Sequence, residues 1–519
     1  MKPFGISFLA SLAASLLVST APLAAQEADT LRVAIHSDIA STNPGVNRDA
    51  NSDMVMLHVV EGLVGFSDNL SIKPMLAEEW SVSEGGKVYD FRLREGVPFH
   101  DGKTLTAQDV VWNFERYLDP ETAFQCAARY NGGIGPKLET VEAVDDTTVR
   151  FTFAEPTSNF LITMATVQCT PWILSPSSVD ESGAFVKPVG TGPYSFDTLE
   201  SGRYLDIVRF DDYAALPGEP DGNVGNKQAS VERIRFMTVP DASTRANGLQ
   251  SGEIDVIDEV EPTLVETLRA RDITVDIQPT PAIMTLQIQT TAPALEDVRM
   301  RQAIAHAIDL NQLSEALGGD FYRPNPSVIA KGTYYYDDSA AAWPAYDVEK
   351  ARALAAEAGY NGEPLSILVA NRQNRVQVAT IVQAMLSSAG INVNLDVRDW
   401  ATQLEQYRAG NYELAVFAYS ARLDPLLSFQ SFIGDKSVEP TRMWDDPKAE
   451  ELLEKVQTLQ EPAERKAVFS ELNREMGKQV PILGLFNLSN VTALSSSVKG
   501  YSGWLGGSHR FWAVTKDAE

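Results

Sequence analysis

FHDGKTLTAQDVVWNFERYLDP, Phe99–Pro120, carries a turn, a cap and an amphipathic helix in one run. Asp101-Gly102 is a turn signal. Thr106 with Asp109 three residues on resembles a capping box, Asp standing in for the usual Glu. Val110, Val111, Phe114, Tyr117 and Leu118 give the helix one apolar face, and Asp119-Pro120 stops it. His100 and Asp101 invite a catalytic reading, yet nothing in the stretch requires chemistry. Taken alone, these residues leave open whether the stretch is a catalytic element or a folding element.

Working outward, Val88–Leu93 and Thr147–Phe153 alternate apolar and polar residues as strands do. Leu31–Ile35 reads as a first strand, and Met54–Val60 as a helix. Gly190–Phe196 is a Gly/Pro turn leading into the strands Tyr204–Phe210 and Val231–Met237. A short helix, Ala242–Ser251, precedes the core strand Ile254–Ile257. Near residue 280 the character changes. An extended run, Ile283–Ile288, is followed by a helix capped at Asp297. Then Pro364–Val369, Ile391–Val397 and Tyr412–Phe417 read as strands between the helices Val376–Ser388 and Trp400–Ala409. Helices over Ala449–Leu459 and Ala463–Lys478 lead to a final strand, Pro481–Phe486. Strands alternating with helices make the chain α/β.

At 519 residues the chain is too long for one core, so two or three domains are expected. A formal net charge of −27 repels phosphate backbones, which argues against nucleic acid and anionic membranes as partners. Residues 1–25, MKPFGISFLASLAASLLVSTAPLAA, pair one Lys with a short apolar core and small residues. This is the pattern of a signal peptide cleaved after Ala25. No Cys sits near that point to carry a lipid anchor. Cys126 and Cys169 form an isolated pair, which an oxidising compartment would join as a disulfide. Two buried thiols are the alternative. The five histidines, His36, His58, His100, His306 and His509, are scattered without ligand spacing, so no metal site or cofactor is expected.

Four segments in order resemble the exported solute-binding proteins of ABC importers, peptide/nickel-binding class (family 5, dipeptide/oligopeptide-binding-protein-like). They are Ala77–Pro120 around the opening stretch, VGTGPYSF (Val189–Phe196), LEDVRMRQAIAHAID (Leu295–Asp309) and SARLDPLLSF (Ser420–Phe429). The resemblance implies an α/β bilobal periplasmic-binding-protein fold, type II-like, with an extra subdomain in the first lobe and a ligand cleft between lobes. On this expectation residues 26–65, 187–279 and 484–519 build lobe I, 66–186 the extra subdomain, and 280–483 lobe II. It implies a periplasmic, monomeric protein that captures a peptide or related polar organic solute by hinge closure. The protein would deliver that solute to the permease and ATPase complex of the inner membrane, making and breaking no bond.

Four places offer ligand-binding side chains at predicted strand ends, where open α/β sheets bind. The first is Asp38 with Ser41; the alternative there is a solvated loop. The second is Arg372, with Arg375 competing, because Arg forks suit carboxylates. The third is Trp400 as a flat wall, against plain core packing. The fourth is Tyr419 to Pro425. Family members that bind dipeptides place an acid upstream of the Asp-Pro pair to hold the ligand ammonium. This chain keeps Asp424-Pro425 but has Arg422 upstream, which suits a carboxylate, phosphate or sugar hydroxyl. The alternative for Arg422 is an ion pair with Asp424. Gln289 is a second departure, where relatives often show Asn. A secreted hydrolase is a rival reading, but no G-x-S-x-G or H-E-x-x-H pattern supplies its machinery. A non-transport sensor on the same fold is another.

Overall fold

The computed structural model describes residues 29–133 and 135–517. The expected leader, residues 1–25, lies outside them. Among the described residues no helix is long and apolar enough to cross a membrane.

The molecule is bilobal around one mixed sheet of eleven strands. In the first lobe, Thr30–Ile35 runs parallel to both Arg233–Thr238 and Val256–Ile257. Tyr204–Arg209 and Tyr194–Glu200 extend that edge antiparallel. In the second, Leu365–Ala370 lies parallel between Val393–Arg398 and Leu414–Tyr419. Covered on both faces, such strands read as nearly continuous apolar runs; Leu365–Ala370, LSILVA, is buried at five of six positions.

Two long antiparallel strands, Thr274–Ile288 and Ile482–Leu494, belong to both lobes. Sequence patterning suggests only the short runs Ile283–Ile288 and Pro481–Phe486. The rest is masked by Pro279, Pro281 and the polar Asn487–Asn490. The prolines lack N–H donors, and the ladder breaks between Pro279 and Ile283. Side chains take over there. Thr280 Oγ1 donates to Leu488 O at 3.0 Å, and Asn487 Nδ2 to Ala282 O at 3.4 Å. Met54–Val60 also differs from expectation: the helix is Ala50–Met56, and turns follow.

The Phe99–Pro120 stretch folds as its residues direct. Thr106 N donates to Asp109 Oδ2 at 2.8 Å, opening the helix Ala107–Leu118. Its apolar face covers a four-stranded antiparallel sheet of Ala77–Ser83, Val88–Leu93, Thr148–Phe153 and Leu138–Ala143. Phe114 meets Phe151 edge-on at 4.8 Å, and Phe151 lies 5.5 Å from Phe91. Asn113 is fully buried and fully used. Its amide donates to Asp109 O and Leu174 O, and its oxygen accepts from Leu174 N. Cys126 and Cys169 are joined in a disulfide, their Cα atoms 5.3 Å apart.

His100 is a clip between two of the recognised segments. Its Nε2 donates to Gly192 O at 3.0 Å, and its Nδ1 accepts from Gly190 N at 3.2 Å. Burial holds its pKa below the ordinary histidine value. Both glycines are demanded by packing. A Cβ on Gly190 would sit 2.2 Å from Val59 O, and one on Gly192 2.5 Å from His58 O. Beside them Glu61, 1% exposed, takes Lys227 Nζ at 2.6 Å, Thr191 Oγ1 at 2.9 Å and Tyr213 Oη at 3.1 Å.

The far end of the chain completes lobe I. His58 Nδ1 donates to Met54 O at 2.9 Å, while Nε2 accepts from Phe511 N at 3.0 Å. Lys516 Nζ reaches Asp255 Oδ2 at 3.1 Å, and that same carboxylate takes Arg32.

Candidate ligand cleft

Where the two lobes meet at the crossing strands lies a cavity of about 560 Å³, within the usual range for small-ligand sites. Its floor is Thr280, Ala282, Met284, Phe486 and Leu488 of those strands. The walls come from strand ends. Ala34 is in register with Ile257, so the residues that follow, His36 on one strand and Asp258-Glu259 on the other, emerge together on lobe I. From lobe II, Leu365–Ala370 ends and the chain turns into the helix Gln373–Ser388, bringing Asn374, Arg375 and Val378 to the cavity.

The two walls differ in charge. Asp258 is 5% exposed, and its Oδ1 accepts no hydrogen bond among the described residues. Burial pushes its carboxyl up to about 6, and the charge on Glu259 adds to that. Glu259 sits at φ 46°, in the left-handed region, with its carboxylate 3.3 Å from His36 Nδ1. Ser489 Oγ, also lining the cavity, is buried without a partner. Opposite, the half-buried Arg375 meets only Met284 Sδ, at 3.4 Å, and forms no ion pair among the described residues. Burial lowers its pKa, and the neighbouring charge of Arg372 lowers it further. Among the described residues no group of three His, Cys, Asp or Glu side chains is placed to hold a metal ion.

The expected site residues fall into three groups. Asp38 and Ser41 do not line this cavity. The Asp38 carboxylate is taken by Gly202 N at 2.7 Å, Ser201 Oγ at 3.1 Å and Thr238 Oγ1 at 3.3 Å. Ser41 Oγ accepts from Asn43 N at 3.0 Å, closing its own loop. Asp424 is engaged within lobe II. It is 2% exposed, caps the helix Pro425–Phe432 through Leu426 N, and pairs with Arg465 at 3.1 Å rather than with Arg422. The Tyr419 hydroxyl is similarly engaged, by Gln287 Nε2 at 2.7 Å and the Tyr407 hydroxyl at 3.2 Å. Arg372 and Trp400 stand exposed, and Arg422 half-buried, just beyond the ends of lobe II strands. Arg372 lies over the Trp400 ring at 5.2 Å, and Trp400 is 41% exposed. Arg422 touches only Ser420 Oγ, at 2.8 Å. Sequence reasoning passed over Asp258, Glu259 and Ser489. Two acids directly after the core strand Ile254–Ile257 were the available signal.

Residues 71–439 match the family model of bacterial extracellular solute-binding proteins, family 5 Middle. The chain belongs to this family. Family 5 relatives include heme-binding protein A of Haemophilus influenzae, 27% identical across 92% of this chain and 89% of that one. Di/tripeptide-binding protein 2 of Pseudomonas aeruginosa is 27% identical across 83% of this chain and 84% of its own length. Among solved structures, DppA from Helicobacter pylori in complex with peptide STSA superposes with a TM-score of 0.67 at 26% identity, covering 94% of this chain and 98% of that one. The unliganded open form of the murein tripeptide binding protein MppA, 20% identical, gives 0.81 over 94% of this chain and 97% of its own. These likenesses share the bilobal α/β fold described above.

Proposed function

We propose that this family 5 protein works in the periplasm as the monomeric solute-binding component of an ABC-type importer. It captures a peptide or related polar organic solute bearing an anionic group, and hands it to the permease of the inner membrane. The observation that carries the reading is Arg375, half-buried in the cleft wall with no carboxylate to neutralise it. A guanidinium held this way forms two parallel bonds to a ligand carboxylate. The peptide-binding names of relatives support the solute class. The closer superposition on an open unliganded form than on a peptide complex supports lobes standing apart, ready to close.

Closure then follows from differential affinity. A solute touching both walls stabilises the closed arrangement and shifts the population toward it, with no covalent step. The lobe boundaries near 280 and 484 belong to this reading, and the broken ladder between Pro279 and Ile283 is where bending costs least. Arg372, Trp400 and Arg422 form the lobe II rim that would fold over the bound solute.

A calorimetric and thermal-shift panel of di- and tripeptides with their C-terminal amides tests it. A bound peptide at about 100 times its Kd stabilises by about 2.7 kcal/mol. The amides are expected to give no shift, and Arg375→Ala to abolish the shift of the free acids. Amides binding as well as acids would remove the anion from the reading. Hydrolysis of the peptides would overturn it altogether.

A further inference from the structure

We infer that Asp258, with Glu259 and Ser489 lining the same cavity, forms a cation subsite on the lobe I wall. It receives the primary ammonium group of a zwitterionic solute whose carboxylate is held by Arg375 across the cleft. The inference rests on the reading above and extends it from an anionic group to a pair of opposite charges.

Buried carboxylates in this lobe are otherwise paired. Glu61 has Lys227, Asp255 has Arg32 and Lys516, and Asp206 has Arg233 and Arg235. Asp258 is nearly as buried as these, and it lines the cavity with its Oδ1 unpartnered among the described residues. A buried carboxylate oxygen left without a hydrogen bond is costly, so folding alone does not account for it. On its own wall the charges of His36 and Arg245 favour its carboxylate through space, but neither hydrogen-bonds Oδ1 among the described residues. His36 is directed to Glu259, and the Arg245 guanidinium is bonded to the carbonyls of Val239 and Pro240.

The chemistry of the pocket selects the cation. An ammonium has three donors and no acceptor, so it needs a compact cluster of acceptors. Asp258, Glu259 and Ser489 line one cavity, and Asp258 Oδ1 and Ser489 Oγ accept no hydrogen bond among the described residues. A metal ion would require more ligating side chains than are gathered here.

The test uses the full mature chain and a defined equimolar pool of di- and tripeptides, in free and N-acetylated forms. Bound species are counted by native mass spectrometry. The wild-type protein is expected to retain the free pool and to reject the acetylated one by roughly thirtyfold or more, the effect of removing one partner of a buried charge pair. Asp258→Asn is expected to lose that preference. It breaks no hydrogen bond at Oδ1, so the variant should fold, which circular dichroism checks. Equal retention of both pools by the wild type would overturn the subsite and leave the proposed function standing. So would an unchanged preference in Asp258→Asn. Retention of neither pool would remove the peptide reading and the subsite with it.

Discussion

Two buried carboxylates in the first lobe were given opposite treatment. Glu61 is met by a lysine, a threonine and a tyrosine within 3.1 Å. Asp258, nearly as buried, is left with Oδ1 unpartnered. Glu61 sits in the seam that fastens the Gly190–Phe196 turn, Tyr213 and Lys227 to the body of the lobe. Asp258 sits in the wall of a cavity. The first region is completed by the chain itself; in the second, on the inference above, a solute would complete it. Unsatisfied charge at this depth marks where stability has been given up to binding.

That contrast can be broken most directly at Lys227. Lys227→Met should cost about 3–5 kcal/mol, because it strands a buried carboxylate. Urea unfolding measures it, and a near-neutral result would erase the distinction. Asp258→Asn should act in the other direction, stabilising the unliganded protein by about 1–3 kcal/mol at pH 7. The sign follows from a carboxyl raised to about 6 against an ordinary 3.8. The cost of the charged form is fully present above the folded value and disappears below the unfolded one. Unfolding midpoints of variant and wild type should thus converge as pH falls from 7 toward 4. A gap that stays constant across that range would show that Asp258 is not the group responsible. At the smallest end, Trp400→Ala should lower unliganded stability by about 1 kcal/mol, since the residue is 41% exposed and its ring packs on Phe417 at 5.6 Å. Its effect should appear as weaker solute binding in calorimetry, and unchanged binding would take the rim out of the site.

Much of the fold was legible because its signals are local. The capping box at Thr106, the apolar face through Phe114 and the stop at Asp119-Pro120 all lie within one short stretch, and the structure follows them. The two crossing strands were under-read because their evidence is tertiary. Pro279 and Pro281 argue against a strand in isolation, and only the partner Ile482–Leu494 makes one of them. The site was harder for the same reason. Asp38 and Asp258 both follow core strands. Nothing in the sequence reveals that Asp38 finds the Gly202 amide while Asp258 finds no one. Asp424 likewise waits on Arg465, 41 residues away, to become part of the interior.

The stacking of His58 against Phe511, 5.6 Å between ring centres, has a consequence for synthesis. A ribosome needs on the order of a minute to make a chain this long. For almost all of that time the ring of His58 exists without Phe511 and Trp512, which seal it. The first lobe therefore cannot finish folding while the nascent polypeptide is still growing. A molecule held open in this way can be threaded through a membrane pore without first being pulled apart.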